Sequence, residues 1–209
     1  MRQETTRLDK LSINLFILAD FIYELIKNSF CFWLYFLRGI GITTLFSSTK
    51  VLSEVSIDIL NKDRKKTSKN YKDKYNNTDK NRLFSLLTFF FILYMGLMVV
   101  YPIPSQFEGF FWYIFKYLSL FLIVITITML FTFPLFSALY PSIKWTQALI
   151  IYFFGKSIFW TVLLLLSNAV MLWFSLRNNI FFIGFAPGVL GYINAFIHKK
   201  ILDRVMSKR

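Results

Sequence analysis

Four stretches of this chain, residues 83–101, 110–133, 157–176 and 180–197, are built almost entirely from apolar side chains. A helix needs about 20 such residues to cross bilayer hydrocarbon. The third stretch carries no ionisable residue, and the second carries only Lys116, close enough to its start to snorkel outward. Pro102 and Pro104 break the chain after the first, and Arg177-Asn178-Asn179 makes a polar turn after the third. The composition agrees. Apolar residues make up 56% of the 209 and aromatics 20%, with 26 phenylalanines, more rings than a water-soluble core of this size can hide. The expected fold class is all-α, a single polytopic transmembrane helix bundle over residues 1–209.

Two further stretches are less apolar. Residues 13–37 carry Asp20, Glu24, Lys27 and Asn28 inside a run of Leu, Ile, Phe, Tyr and Trp, and Arg38-Gly39-Ile40-Gly41 then reads as a turn. Residues 42–60 show helical periodicity, with Ser47, Lys50, Glu54 and Asp58 along one face. That stretch is too polar to face lipid all round, but it can return through the membrane packed among other helices. Residues 61–82, "NKDRKKTSKNYKDKYNNTDKNR", show no apolar periodicity and read as a solvated, partly mobile basic loop. Pro134 is expected to end the span before it, and residues 135–156 read as an amphipathic segment lying at the interface. Tyr140, Trp145 and Tyr152 would line one membrane face, and Tyr101, Trp112, Tyr113 and Trp173 the other.

The net charge of +13 orients the bundle. With six spans and both termini cytoplasmic, the inner side collects Arg2, Arg7 and Lys10, the Lys/Arg residues from Lys50 to Arg82, Lys144 and Lys156, and the basic tail at 198–209. Only Lys27, Arg38, Lys116 and Arg177 are left buried or outside. Excess Lys and Arg on the cytoplasmic side is the pattern of membrane proteins. The basic loop and tail are therefore expected to meet anionic lipid in a bacterial cell membrane, and nucleic acid is not expected as a partner. No removable signal peptide is read at the N-terminus, where Glu4 and Asp9 lie and no A-x-A-like site follows.

The opening charges pose the sharpest question. Asp20, Glu24 and Lys27 share a helix face, and an unpaired charge at mid-bilayer costs about 2.5–3.5 kcal/mol on insertion scales. Partners are expected. Glu24 can pair with Lys27 one turn on. At about 1.5 Å per residue, Glu24 lies about 20 Å from the outer end of its helix, and Lys50 about 17 Å down the returning one. Lys50 is thus expected to meet Glu24 or Asp20 across a hairpin, as a structural clasp. The alternative is a proton- or substrate-handling path through Asp20, Glu24, Lys27, Asn28 and Lys50.

Catalytic signatures are absent from the sequence. One histidine, His198, and one cysteine, Cys31, cannot assemble a His/Cys metal set, and no H-E-x-x-H, C-x-x-C or G-x-S-x-G occurs. Neither enzymatic activity nor a cofactor is expected. Cys31 reads as a small buried hydrophobe, and His198 as an interfacial polar residue. In "GFAPGVLGYINA", Gly184 and Gly188 are four apart, Gly191 and Ala195 likewise, and Pro187 can kink the helix. Close packing with a kink is the simpler reading, exposure of backbone to a substrate the other. Asn168 and Asn194 read as hydrogen-bond partners between helices.

The order of these features resembles the YesL family of bacterial integral membrane proteins. The likeness spans roughly residues 8–203. It rests on "LFILADFIYELIKNSFCFWLYFLRGIGITTLFSSTKVL" and the basic "YKDKYNNTDKNRLFSLL". It continues through "FTFPLFSALYPSIKWTQALIIYFFGKSIFWTVLLLL" to the Gly-rich last helix ending "AFIHKKIL". What it implies is a membrane protein of unsettled biochemical role, associated with carbohydrate uptake and, as a partner, with a sugar ABC-transport component.

Overall fold

The computed structural model describes residues 2–39, 41–61, 67–78, 82–100, 109–137 and 143–206. Among them the regular structure is helical throughout. In chain order these helices are α1 (Arg2–Arg38), α2 (Leu45–Leu60), α3 (Thr67–Asn77), α4 (Arg82–Val100), α5 (Phe110–Ser137), α6 (Ile143–Lys156), α7 (Ile158–Arg177), α8 (Asn179–Gly184) and α9 (Ala186–Met206). Three stretches are long and apolar enough to cross a membrane: Arg82–Val100, Phe110–Phe136 and Ile158–Arg177. They match three of the four stretches that stand out in the sequence. Pro102, Pro104, Tyr101, Tyr140, Pro141 and the segments 62–66, 79–81 and 207–209 lie outside the described residues, as do the side chains of Lys144 and Trp145.

The long helices alternate in direction. Trp33 meets Ile183 and Phe21 meets Tyr192, so α1 runs antiparallel to α9. Leu52 and Ser56 lie on Gly191, and Asn61 meets Lys199, so α2 runs parallel to α9. Phe84 stacks near Phe133, which sets the start of α4 against the end of α5. At the centre is α2, ringed by α1, α3, α4, α5 and α9. Val51, Leu52 and Val55 are sealed there with Phe32, Tyr35 and Phe131. By contrast α4 buries only Ser85 and turns its apolar residues outward, as a helix in lipid does.

The 61–82 stretch departs from expectation. It contains the docked helix α3, with Thr67, Tyr71, Tyr75 and Thr78 buried. Their spacings of four, four and three make one stripe, and tyrosine supplies apolar area with a polar tip. Tyr71 donates to the Ser48 carbonyl at 2.9 Å, and its ring stacks on Tyr35. Two other boundaries shift. Helix α5 continues through Pro134 to Ser137 instead of ending there. The segment 135–156 becomes the end of α5 and then α6, whose Ile150 and Phe153 pack on Phe136, Leu164, Ile197 and Ile201.

The stretch 180–197 breaks into α8 and α9 around Phe185, and the cause is Pro187. Proline has no N–H to give the carbonyl four residues back, that of Ile183. The indole Nε1 of Trp33 donates to that carbonyl at 2.9 Å instead. The N–H of Gly188, in the first turn of α9, donates to Ser29 Oγ at 2.8 Å. Helix α1 thus supplies the backbone partners that the break removes. The approach is close enough that a Cβ on Gly188 would strike the Leu25 carbonyl, and one on Gly191 would sit 2.6 Å from Ser56 Oγ. Gly184 has open space around it, so Gly188 alone of that pair is a packing position. At the other hairpin, Gly41 has φ 72° and its N–H closes the end of α1 on the Phe36 carbonyl at 2.9 Å.

This arrangement sets an expectation for a mutant cycle. Trp33→Phe leaves the Ile183 carbonyl unpaired and costs about 1–3 kcal/mol of stability. In a Pro187→Ala background, where residue 187 regains its own N–H, the same change is expected to cost less. Thermal unfolding of the four variants in one detergent measures the coupling.

Candidate functional site: carboxylates of the first hairpin and a polar network on α9

The polar residues of α1 separate by height on the helix. Asp20 is exposed and makes no ion pair or hydrogen bond among the described residues. Glu24 is half-buried, and its carboxylate accepts from the Thr67 hydroxyl of α3. Lys27 lies over the ring of Tyr23 at 5.3 Å, and no ion pair joins it to Glu24. Asn28 is fully buried, donating from Nδ2 to Ser56 Oγ at 3.2 Å, while its Oδ1 has no protein partner. Ser29 sits beneath it in the seam with Gly188.

Lys50 does not clasp α1 to α2. Among the described residues no hydrogen bond or ion pair links it to Asp20 or Glu24. The charge nearest its own helix face is Glu54, one turn on. The reason lies in α3, which occupies the groove where that contact was expected. Lys74 of α3 pairs with Asp58 at 2.7 Å and donates to the Glu54 carbonyl at 3.1 Å. Asn70 donates to the same Asp58 carboxylate at 2.7 Å. Burial pushes the Tyr71 phenol well above its ordinary pKa, so it stays a neutral donor at the centre of this face. The clasp is therefore a three-helix one. A return segment read from its charges as solvated loop holds the carboxylates of the other two helices.

A second polar group joins α5, α7 and α9. Asn168 and Asn194 face each other as reciprocal amides, with Nδ2 of Asn194 donating to Oδ1 of Asn168 at 2.9 Å and the return bond at 3.3 Å. The remaining amide hydrogens go to Thr128 Oγ1, at 2.8 Å, and the Leu190 carbonyl, also at 2.8 Å. One turn further along α9, His198 is 2% exposed. It is a buried network member and not an interfacial residue. Its Nδ1 lies 2.6 Å from the Asn194 carbonyl, which fixes the proton on that nitrogen. Nε2 then accepts from the Thr132 hydroxyl at 2.9 Å. The asparagine pairing was legible as a helix–helix bond. Lys199 and Lys200 after it suggest an interfacial place, yet helical rotation turns His198 inward and both lysines outward.

Among the described residues no three of His, Cys, Asp and Glu come together as metal ligands. A cavity of about 300 Å³ lies among α1, α2, α4, α5, α7 and α9. Its wall is nearly all apolar, and it touches none of Asp20, Glu24, Lys27, Asn28 or Lys50. Pro187 lines it, whereas Gly184, Gly188 and Gly191 do not. The arrangement can hold helices together and receive an apolar group. The cavity does not join the carboxylates to one another. No protein-family model, curated protein or solved structure matches this chain.

The corrected clasp makes a direct contrast between two lysines. Lys74→Gln is expected to weaken the hold on α3 by about 1–2 kcal/mol, seen as faster amide exchange across residues 67–78. Lys50→Gln is expected to leave that exchange unchanged.

Proposed function

We propose that this chain is a multi-pass membrane protein with a non-enzymatic, accessory or regulatory role. The observation that carries this reading is the engagement of the hairpin carboxylates Glu24 and Asp58 by α3. Both are held by α3 side chains, and the cavity of about 300 Å³ is apolar and reaches none of the cluster. A small transporter or channel built on Asp20, Glu24, Lys27 and Lys50 would need those groups to face a continuous wet path. Glu24 is engaged by Thr67 and the apolar cavity reaches none of the four, which argues against it.

The distribution of Lys and Arg supports six crossings, by α1, α2, α4, α5, α7 and α9. Both termini and the Lys-rich stretch around α3 are then cytoplasmic, against anionic lipid of a bacterial plasma membrane. Bearing the other way, α2 has 16 residues, about 24 Å of helix, and its first turn lies beside Ser85 near the start of α4, with Phe46 N to Ser85 Oγ at 3.1 Å. The feature order resembling the YesL family makes a sugar ABC-transport component the first partner to seek.

Two measurements test this. In a Cys31→Ser background, single cysteines at Gly109 and Asn179 are expected to react with an impermeant maleimide on intact cells. Cysteines at Lys69 and Lys200 are expected to react only after permeabilisation; labelling of Lys69 from outside would overturn the six-span arrangement. Crosslinking in native membranes followed by affinity purification is expected to bring down a transporter subunit. Recovery of the chain alone would count against the accessory role.

A further inference from the structure

The cavity has a mouth, and its position identifies what can enter. Helix α4 packs on α2 and α5, while α7 packs on α5, α6, α8 and α9, so a gap separates α4 from the α7–α8 corner. Leu93 of α4 and Phe182 of α8 stand at this rim, 46% and 43% exposed. Leu93 lies past the middle of a helix long and apolar enough to span. The mouth therefore opens toward hydrocarbon and not toward water.

The interior is equally specific. Leu52, Leu130 and Ala186 form its deep wall and are at most 5% exposed. Three polar side chains also reach it, and each spends its hydrogens inside the protein. Thr49 donates to the Phe46 carbonyl at 2.9 Å and Ser175 to the Met171 carbonyl at 2.7 Å. Both amide hydrogens of Asn168 are used in the network with Thr128 and Asn194. A water needs two to four polar partners, and on this otherwise apolar wall every donor hydrogen is spent and only scattered acceptor oxygens remain.

We propose that the cavity holds a hydrocarbon chain of a bilayer lipid, an inference that rests on the membrane-spanning reading of α4, α5 and α7. Size decides between occupants. A dry cavity of about 150 Å³ holds one benzene, so about 300 Å³ takes a chain of roughly a dozen carbons. A helix of a partner or of a second copy is about 10–12 Å across with its side chains and cannot enter such a space. A polar solute would have to cross hydrocarbon to reach the mouth and would find no donor there. A lipid chain is already at that depth and restores the dispersion contacts that an empty void forfeits.

The test uses the full chain in nanodiscs of phosphatidylcholine carrying a diazirine in one acyl chain, with labelled residues mapped by mass spectrometry after illumination. Leu166 and Val170 on the outer face of α7 are 57% and 50% exposed and report contact with bulk lipid. Labelling is expected there and also at Leu52, Leu130 and Ala186, which a chain reaches only from inside the cavity. Ser175→Phe, or Leu190→Phe should the first variant not fold, fills the space and is expected to cut interior labelling roughly fivefold or more while sparing Leu166. Labelling at Leu166 and Val170 without interior labelling overturns the proposal and leaves the spanning reading intact. Absence of both overturns the spanning reading as well. Interior labelling that neither filling variant reduces also overturns the proposal, as does crosslinking of the lining residues to a second polypeptide.

Discussion

One missing hydrogen bond organises much of this bundle. Pro187 cannot donate to the Ile183 carbonyl, and the break it makes leaves backbone groups that an apolar setting cannot leave unpaired. The indole of Trp33 and the hydroxyl of Ser29 take them up from α1. Those two bonds fix the register of α1 on α9. Gly188 lets the backbones come together, and Gly191 does the same for α2 on the next turn. A proline read alone is a kink. With Trp33 and Ser29 opposite, it becomes the point on which three helices are aligned.

The same rule explains α3. Carboxylates on α1 and α2 need partners, and a chain this poor in charge between its ends has few to offer. Thr67, Asn70 and Lys74 come from the most polar stretch of the protein and are brought back over the hairpin by a helix whose buried stripe is Tyr71 and Tyr75. The cost of ordering eleven polar residues is offset by that aromatic burial and by charge-assisted bonds. Helix α3 also carries the chain back along α2, so that α4 begins beside the first turn of α2 and not at its end. Helix α4 then contributes the rim of the apolar cavity.

The two polar groups differ in kind. The α3 face holds charges and lies at the edge of the bundle, where Asp20 is exposed and Lys27 half-buried over Tyr23. The Asn168–Asn194–His198 group is neutral, buried and saturated, each amide hydrogen having an acceptor. Such saturation gives α5, α7 and α9 a fixed relative register where packing of apolar side chains alone would permit sliding. Asn168 stands at the boundary, one edge in the network and one in the cavity wall.

The sequence by itself determined where the apolar helices α4, α5 and α7 lie, because a run of about 20 apolar residues has few other uses. It also determined the turns at Gly41 and Asn178, where a positive φ and a side-chain cap act over a few residues. The amide pairing of Asn168 with Asn194 was legible as a type of contact, since buried amides in helices seek one another. What only the tertiary structure decided was partner choice. Helix spacing points to Lys50 as the partner of Glu24 or Asp20, yet Thr67 meets Glu24 and Lys74 pairs with Asp58. The docking of α3 on α1 and α2 decides this. The inward turn of His198 likewise depends on how α9 is rotated by its contacts with Ser29 and Ser56. Local pattern sets which residues need partners. Which residue answers depends on side chains more than 40 or 150 positions away, as with Glu24 and Thr67 or Ser29 and Gly188, and no spacing rule reaches that far.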